Sequence, residues 1–271
     1  MSADFVHLVL TRFNTAVGYA PSARRLESGW LRERINLFER YCLPSMRAQR
    51  DAEFRWVVFC DAASPEWFRE TMESYRTTLT PFYVEGWLTD DRIAQTIADS
   101  RLARAPYLIT TRLDNDDALA RDHLARVQST FHQQEREFIE FPFGLQTFRG
   151  HLYSVYWHSN PFLSLIERVG AHNRFSTVFC MRHDHLNTRV KPHSIVCAPQ
   201  WLQVLHANNV GNSLRGWPRI QSRTHSHFAV KWPDSIAEDS FWDRVGLSTA
   251  AYSERARRWW ARRPRNAAKT T

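Results

Sequence analysis

Tyr107-Leu108-Ile109-Thr110-Thr111-Arg112-Leu113-Asp114-Asn115-Asp116-Asp117 is the stretch on which the reading of this chain turns. A short apolar run of β type feeds directly into three carboxylates within four positions. Like charges this close repel, and together they raise the cost of desolvation unless a cation or several donors answer them. Hard oxygen ligands at the end of a strand suit Mg²⁺ or Mn²⁺ carrying a substrate's phosphates. Asp and Asn also dominate solvated turns and helix N-caps. By itself the stretch is therefore either a metal-binding turn or a capped one.

Upstream, the pattern alternates between strand and helix. Phe5 to Leu10 is a β-type run with a polar exit, Thr11-Arg12-Phe13-Asn14. Helical spacing of Leu31, Ile35, Leu37, Phe38, Tyr41, Cys42 and Met46 follows, with Arg32, Glu33, Arg34, Glu39 and Arg40 mostly on the outer face and Pro44 predicting a break or kink. Phe54 to Cys60 reads as a strand buried on both faces, ending at Asp61. Ser64-Pro65-Glu66-Trp67 then opens a helix with Ser64 as cap. Phe82-Tyr83-Val84 is a third strand, and Asp90 or Asp91 caps a helix through Ile93, Ile97 and Leu102. Tyr107 to Thr111 is the fourth strand, and Ala118 to Gln134 is read as a helix that Asp117 can cap.

This βαβ alternation predicts an α/β fold with an open, mostly parallel sheet. Ligands of such sheets sit beyond the carboxyl ends of the strands, where the strand order switches. Thr11-Arg12-Phe13-Asn14, Asp61 and Asp114–Asp117 all lie at that edge. After residue 137 the texture changes. Phe138 to Phe141, His151 to Trp157 and Thr177 to Cys180 read as strands of a mixed, antiparallel part, and Leu163 to Glu167 as a short helix.

The chain of 271 residues carries a net charge of +8 and is 43% hydrophobic and 24% charged, so it can bury a substantial core and asks for an anionic partner. Nucleic acid, a nucleotide-sugar and an anionic membrane surface all qualify. The first apolar run is too short for a signal sequence, and no run approaches the roughly 18 apolar residues of a spanning helix. A cytoplasmic location is expected. Cys42, Cys60, Cys180 and Cys197 are scattered and form no C-x-x-C pair, which fits a reducing compartment. The absence of G-x-G-x-x-G after the first strand and of a Walker-type G-x-x-x-x-G-K disfavours dinucleotide enzymes and P-loop NTPases.

Five pieces in order carry a closer resemblance. They are Leu10 to Asn14; Leu37-Phe38-Glu39-Arg40-Tyr41-Cys42-Leu43-Pro44-Ser45; Thr111 to Ala118; Asn160-Pro161-Phe162-Leu163-Ser164; and Trp201-Leu202-Gln203-Val204-Leu205-His206. With them the chain resembles the GT-A nucleotide-sugar glycosyltransferases, and among these the bacterial putative rhamnosyltransferase family, over roughly residues 5 to 215. The resemblance implies a GT-A-like catalytic domain over 1–250, with a nucleotide-binding half up to about 136 and an acceptor-side half beyond it. It also implies transfer of a sugar from a nucleoside-diphosphate donor with Mn²⁺ or Mg²⁺. Carried over, Asp116 binds the ion, Asp114 the ribose or the ion through water, and His206 the ion or the diphosphate. Asp61 meets the donor's base or ribose, and Thr11 and Asn14 line the base pocket. The ion would neutralise charge on the leaving diphosphate, and Arg112 would add a fixed cation.

If transfer inverts the anomeric centre, as the resemblance implies, a carboxylate must deprotonate the acceptor hydroxyl. Asp184 in Arg182-His183-Asp184-His185 is the candidate and Glu140 its rival. The bland readings are a capping Asp61, a hydrogen-bonded His206, and a polar loop around Asp184. A zinc site at His183 and His185 lacks an evident fourth ligand. The tail at 251–271 interleaves arginines with Trp259-Trp260, which suits the anionic inner face of the plasma membrane and a lipid-linked saccharide acceptor; the alternative is a disordered basic tail. Three other classes stay in view. A nucleic-acid-binding protein explains the charge, yet the acids at the sheet's ligand edge would repel a phosphate backbone. A metal-dependent nuclease or phosphatase lacks an evident nucleophile or two-metal cage. A catalytically silent interaction protein can share the fold.

Overall fold

The computed structural model describes residues 4–17, 23–183, 190–206, 214–215, 217–218 and 227–232. β1 (Phe5–Arg12) leads through α1 (Ser28–Leu37) and α2 (Leu43–Arg47) to β2 (Arg55–Asp61). From there α3 (Glu66–Ser74) joins β3 (Thr80–Val84), and α4 (Asp90–Asp99) joins β4 (Tyr107–Arg112). These four strands lie side by side and parallel, in the order β4-β1-β2-β3. Their side chains alternate between two cores. Val9, Val58 and Ile109 pack with Leu31, Ile35, Phe68 and Met72 on one face; Leu8, Leu10, Val57 and Leu108 pack with Ile93 and Ile97 on the other. Helices on both faces explain why the strands read as continuous apolar runs.

The helical run after β1 keeps its predicted buried face and does not break at Pro44. Phe38–Cys42 forms a π-turn in which the Leu43 N–H reaches back to the Phe38 carbonyl. Pro44 has no N–H for the Arg40 carbonyl, and that carbonyl instead accepts the Lys231 N–H at 2.9 Å. Arg40 Nε donates in return to the Lys231 carbonyl at 3.0 Å.

Several expectations are corrected. Thr89, not Asp90 or Asp91, caps α4, accepting the Arg92 N–H at 3.3 Å. Ser64 does not cap α3; its hydroxyl donates to the Asp61 carbonyl at 2.7 Å. Ala118 to Gln134 is not one helix. It contains the short strand β5 (Ala118–Leu119) and a brief α5 (His123–Gln128), because Leu119 turns into one core while Ala118 and Ala120 turn into another, a period of two. The expected helix at Leu163 to Glu167 is instead a strand, Ser164–Arg168, for the same reason, with Leu165 on one face of the central sheet and Ile166 on the other. Thr177 to Cys180 is a turn closed by Cys180 N–H to Thr177 O at 2.9 Å, not a strand.

The second half supplies β6 (Arg136–Glu140), β7 (Phe143–Phe148), β8 (His151–Tyr156), β9 (Ser164–Arg168), β10 (His193–Ser194), β11 (Trp201–Leu205) and β12 (Trp217–Pro218). The central sheet extends to β10-β6-β9-β4-β1-β2-β3, and only β9 runs against its neighbours. The α/β architecture with a mostly parallel sheet thus stands. A second, mixed sheet has the order β12-β8-β7-β11-β5. A buried polar chain ties three strands of the first sheet: His7 Nε2 donates to Thr111 Oγ1 at 2.8 Å, which lies 2.6 Å from Ser164 Oγ. Gln128 Nε2 donates to His7 Nδ1 at 3.0 Å, fixing this tautomer, and burial holds the imidazole down at about 3. Among the described residues no helix is long and apolar enough to cross a membrane.

Trp201 locks the second sheet to the first. It is fully buried, stacks on Phe162 with centroids 4.9 Å apart, and its Nε1–H donates to the Phe141 carbonyl at 2.8 Å. Its ring passes so close to β7 that a Cβ on Gly144 would lie 2.0 Å from it. Gly144→Ala is therefore expected to destabilise by about 3 kcal/mol or more, the upper range for overpacking, because a buried indole cannot step aside. Urea unfolding of both proteins measures this.

Candidate functional site

β1, β2 and β4 end side by side at one edge of the central sheet, and the strand order switches between β1 and β4. Two amide side chains tie the exits together. Asn14 Oδ1 accepts the Asp61 N–H at 3.0 Å while its Nδ2 donates to Ser64 Oγ at 2.9 Å. Asn115 Nδ2 donates to the Phe13 carbonyl at 2.9 Å. The three polar exits singled out in the sequence are thus one surface. Thr11 lies beneath it: fully buried, its hydroxyl accepts the Trp56 indole N–H at 2.9 Å and so fastens β1 to β2.

Asp61, Asp114 and Asp116 each have their own arginine at this edge. Arg25 places Nε and Nη2 both at 3.1 Å from Asp61 Oδ2, and the Ala63 N–H donates to Oδ1 at 2.8 Å. Arg112 donates to both oxygens of Asp114, at 3.3 and 2.8 Å. Arg34 Nη1 donates to Asp116 Oδ2 at 2.6 Å. Helical spacing puts Arg34 on the outer face, yet the structure turns its side chain inward to 17% exposure. His206, at the end of β11, joins this last pair: its Nε2 lies 2.9 Å from Asp116 Oδ2 and 3.1 Å from Arg34 Nη1. One ring nitrogen cannot donate to the carboxylate and accept from the guanidinium at once. Asp116 Oδ2 and His206 Nε2 both lie within hydrogen-bond distance of the same guanidinium nitrogen, Arg34 Nη1.

The electrostatics follow from these pairings. Burial alone would push the Asp114 carboxyl up, but Arg112, Arg12 and His183 outweigh it and hold the group below its usual range. Arg12 itself is drawn down to about 10, first by burial and then by Arg112. Both guanidiniums lie over the Phe179 ring, at 4.4 Å for Arg12 and 5.6 Å for Arg112. Asp117 is the exception among the acids. Burial, then Asp116 and Asp114, push it well above the usual range. It caps no helix: its Oδ1 accepts the Val204 N–H at 2.8 Å, joining the acidic turn to β11.

Of the two candidate bases, Asp184 lies outside the described residues. Glu140 ends β6 on the same edge of the sheet, is buried, and accepts hydrogen bonds from His158 Nδ1, Ser159 N and Ser194 Oγ, each at 2.6 Å. The residues that sequence reasoning passed over are the cations Arg25 and Arg34. The only signal for them was the need of Asp61 and Asp116 for countercharge.

A family model described as putative rhamnosyl transferase matches residues 10–217. None of the curated proteins matches. Among solved structures, S. aureus TarS is similar at 12% identity, with a TM-score of 0.41 over 74% of this chain and 37% of that one. TarS 1–349 in complex with UDP gives 11% identity and a TM-score of 0.40, over 74% of this chain and 60% of that one. The inositol-1-phosphate CTP transferase from T. maritima gives 9% identity and 0.36, over 75% and 90%. The chain thus spans less than two thirds of either TarS chain.

The pairing of Arg34 with Asp116 can be measured apart from any activity. Arg34→Met leaves a buried carboxylate without its cation and is expected to cost about 3 kcal/mol. Asp116→Asn in that background should cost less than it does alone, giving a coupling of about 1–3 kcal/mol in a double-mutant cycle. Strictly additive unfolding energies would mean that the pair does not hold the site.

Proposed function

Since the chain belongs to the putative rhamnosyl transferase family, we propose that it transfers a sugar, rhamnose by the family's description, from a nucleoside-diphosphate donor to a saccharide or lipid-linked acceptor of the cell surface. The observation that carries this reading is the row of acid–arginine pairs at the carboxyl edge of a parallel sheet, where the strand order switches. A donor brings a diphosphate and a ribose to such an edge. Guanidiniums suit the phosphates because their planar forks match phosphate oxygens, and carboxylates suit the ribose hydroxyls. Asp61 and Asn14 take the base or ribose end, and Asp114, held by Arg112, takes a ribose hydroxyl.

The ion that the resemblance calls for is Mn²⁺ or Mg²⁺. Among the described residues no group of three His, Cys, Asp or Glu could hold a metal. An ion arriving with a diphosphate needs only one or two protein ligands, because phosphate oxygens and waters complete its shell. Asp116 and His206 meet that requirement, since their donor atoms already converge on one cation, Arg34 Nη1. They would hold the ion, which supplies Lewis-acid stabilisation of the leaving diphosphate when bound. Arg34, Arg12 and Arg112 add fixed positive charge around the same diphosphate. Transfer with inversion needs a base on the acceptor side of the sugar. The basic tail at 251–271, which lies outside the described residues, would keep the enzyme near an anionic membrane surface carrying the acceptor.

Thermal unfolding with deoxythymidine and uridine diphosphate sugars, with and without Mn²⁺, tests the donor and the ion together. A cognate donor at a hundred times its Kd should stabilise by about 2.7 kcal/mol, and the metal-dependent part should vanish in Asp116→Ala. Undiminished metal-dependent stabilisation of that variant would falsify the metal role, and no shift with any donor would remove the reading itself.

A further inference from the structure

Glu140 is a carboxylate with nowhere to go. It sits 1% exposed at the carboxyl end of β6, with both oxygens occupied by the three short hydrogen bonds from His158, Ser159 and Ser194. A side chain so enclosed cannot reach the hydroxyl of an incoming sugar. His158 can, because its side chain is 47% exposed. By giving its Nδ1–H to the carboxylate, His158 is held in the tautomer whose Nε2 carries the free lone pair. Among the described residues Nε2 has no hydrogen-bond partner.

The surroundings mark the spot further. Ser159, next in the chain, holds a left-handed backbone with φ of 51°, a conformation costly for a serine. Its buried hydroxyl has no partner among the described residues. Tyr156 stands beside His158 with ring centroids 5.0 Å apart and planes at 89°, and at 54% exposure it offers an aromatic face to solvent. Aromatic faces of this kind take the apolar face of a sugar ring. The place in the fold is right as well. Ile139 is paired with Ser164, and Ser164 with Thr111, so Glu140 and Arg112 leave the same edge two strand spacings apart, about 10 Å. His183 lies beside this site: its Nδ1 is 2.9 Å from the Ser159 carbonyl.

We propose that His158 is the base that deprotonates the acceptor hydroxyl, that Glu140 positions it, and that Tyr156 is the platform for the acceptor sugar; this rests on the glycosyl-transfer reading above. In the step, Nε2 takes the hydroxyl proton while the acceptor oxygen bonds to the anomeric carbon. The bond from that carbon to the diphosphate oxygen breaks, and its electron pair leaves with the nucleoside diphosphate. The imidazolium so formed is stabilised by Glu140 and returns its proton to water. A dyad of imidazole and buried carboxylate does this work in other enzymes because the carboxylate both orients the ring and favours its charged form.

The test uses the full chain and two probes, dTDP-rhamnose and UDP-rhamnose, with water and simple methyl glycosides as acceptors. Release of nucleoside diphosphate by His158→Ala should fall about a hundredfold, the lower end for a general base, and free imidazole should restore part of it. Donor Kd and the unfolding midpoint should stay at the wild-type values. Glu140→Gln should lower kcat and leave donor Kd unchanged, and Tyr156→Ala should raise KM for the glycoside alone. Wild-type turnover in His158→Ala overturns the assignment, as does a loss that imidazole leaves untouched or that matches a loss of donor binding. If the wild-type protein neither binds nor cleaves a donor, the glycosyl-transfer reading fails first and takes this proposal with it. His158→Gln, close in shape to the imidazole, repeats the measurement should the alanine variant unfold.

Discussion

Carboxylates gathered at one sheet edge have to be neutralised before the chain can close over them. In this protein the solution is one arginine for each of three acids: Arg25 for Asp61, Arg34 for Asp116 and Arg112 for Asp114. Arg25 and Arg34 both come from residues 23–47, between β1 and β2, so that described stretch lies across the carboxyl edge. The π-turn at Phe38–Cys42 and the buried face from Leu31 to Met46 hold it there. Burying such pairs costs desolvation that their attraction only partly offsets. At this edge the hydrogen bonds of each guanidinium to its carboxylate add to that attraction.

Much of the edge was legible in the sequence. Strands feeding into Asn14, Asp61 and Asp114 carry their own signal, a buried apolar run followed by polar residues, and parallel pairing brings those exits together. The countercharges were not legible, because an arginine at a helical position with charged neighbours looks solvated. Arg34 lies between Glu33 and Ile35 in the chain, and only the fold reveals that it faces Asp116. Nor could periodicity settle Leu163 to Glu167. Leu163, Leu165 and Ile166 are its apolar positions, and a run this short fits a helical turn as well as a strand. Thr111, Ser164 and His7 supply the missing information through hydrogen bonds across three strands, and those become visible only once the strands are paired.

The two halves of the chain are joined more closely than the change of texture near residue 137 suggests. Asp117 reaches from the acidic turn to Val204 in the second sheet, and Trp201 packs from that sheet onto Phe162. His206 arrives at Asp116 because β11 runs to that point. A residue of the second half thus completes a pair made in the first.

The reversed strand β9 has a consequence for how the chain is made. It separates β4 from β6, so in the finished protein β4 is covered on both sides. On the ribosome the order is different: β1 to β4 are complete while residues 164–168 are still to be synthesised. Until they emerge, β4 presents an open row of backbone donors and acceptors flanked by apolar side chains, the kind of edge to which other strands add. In that interval the open edge of one new chain can pair with that of another. The half of the sheet that is made first is closed at β4 by a strand that does not yet exist.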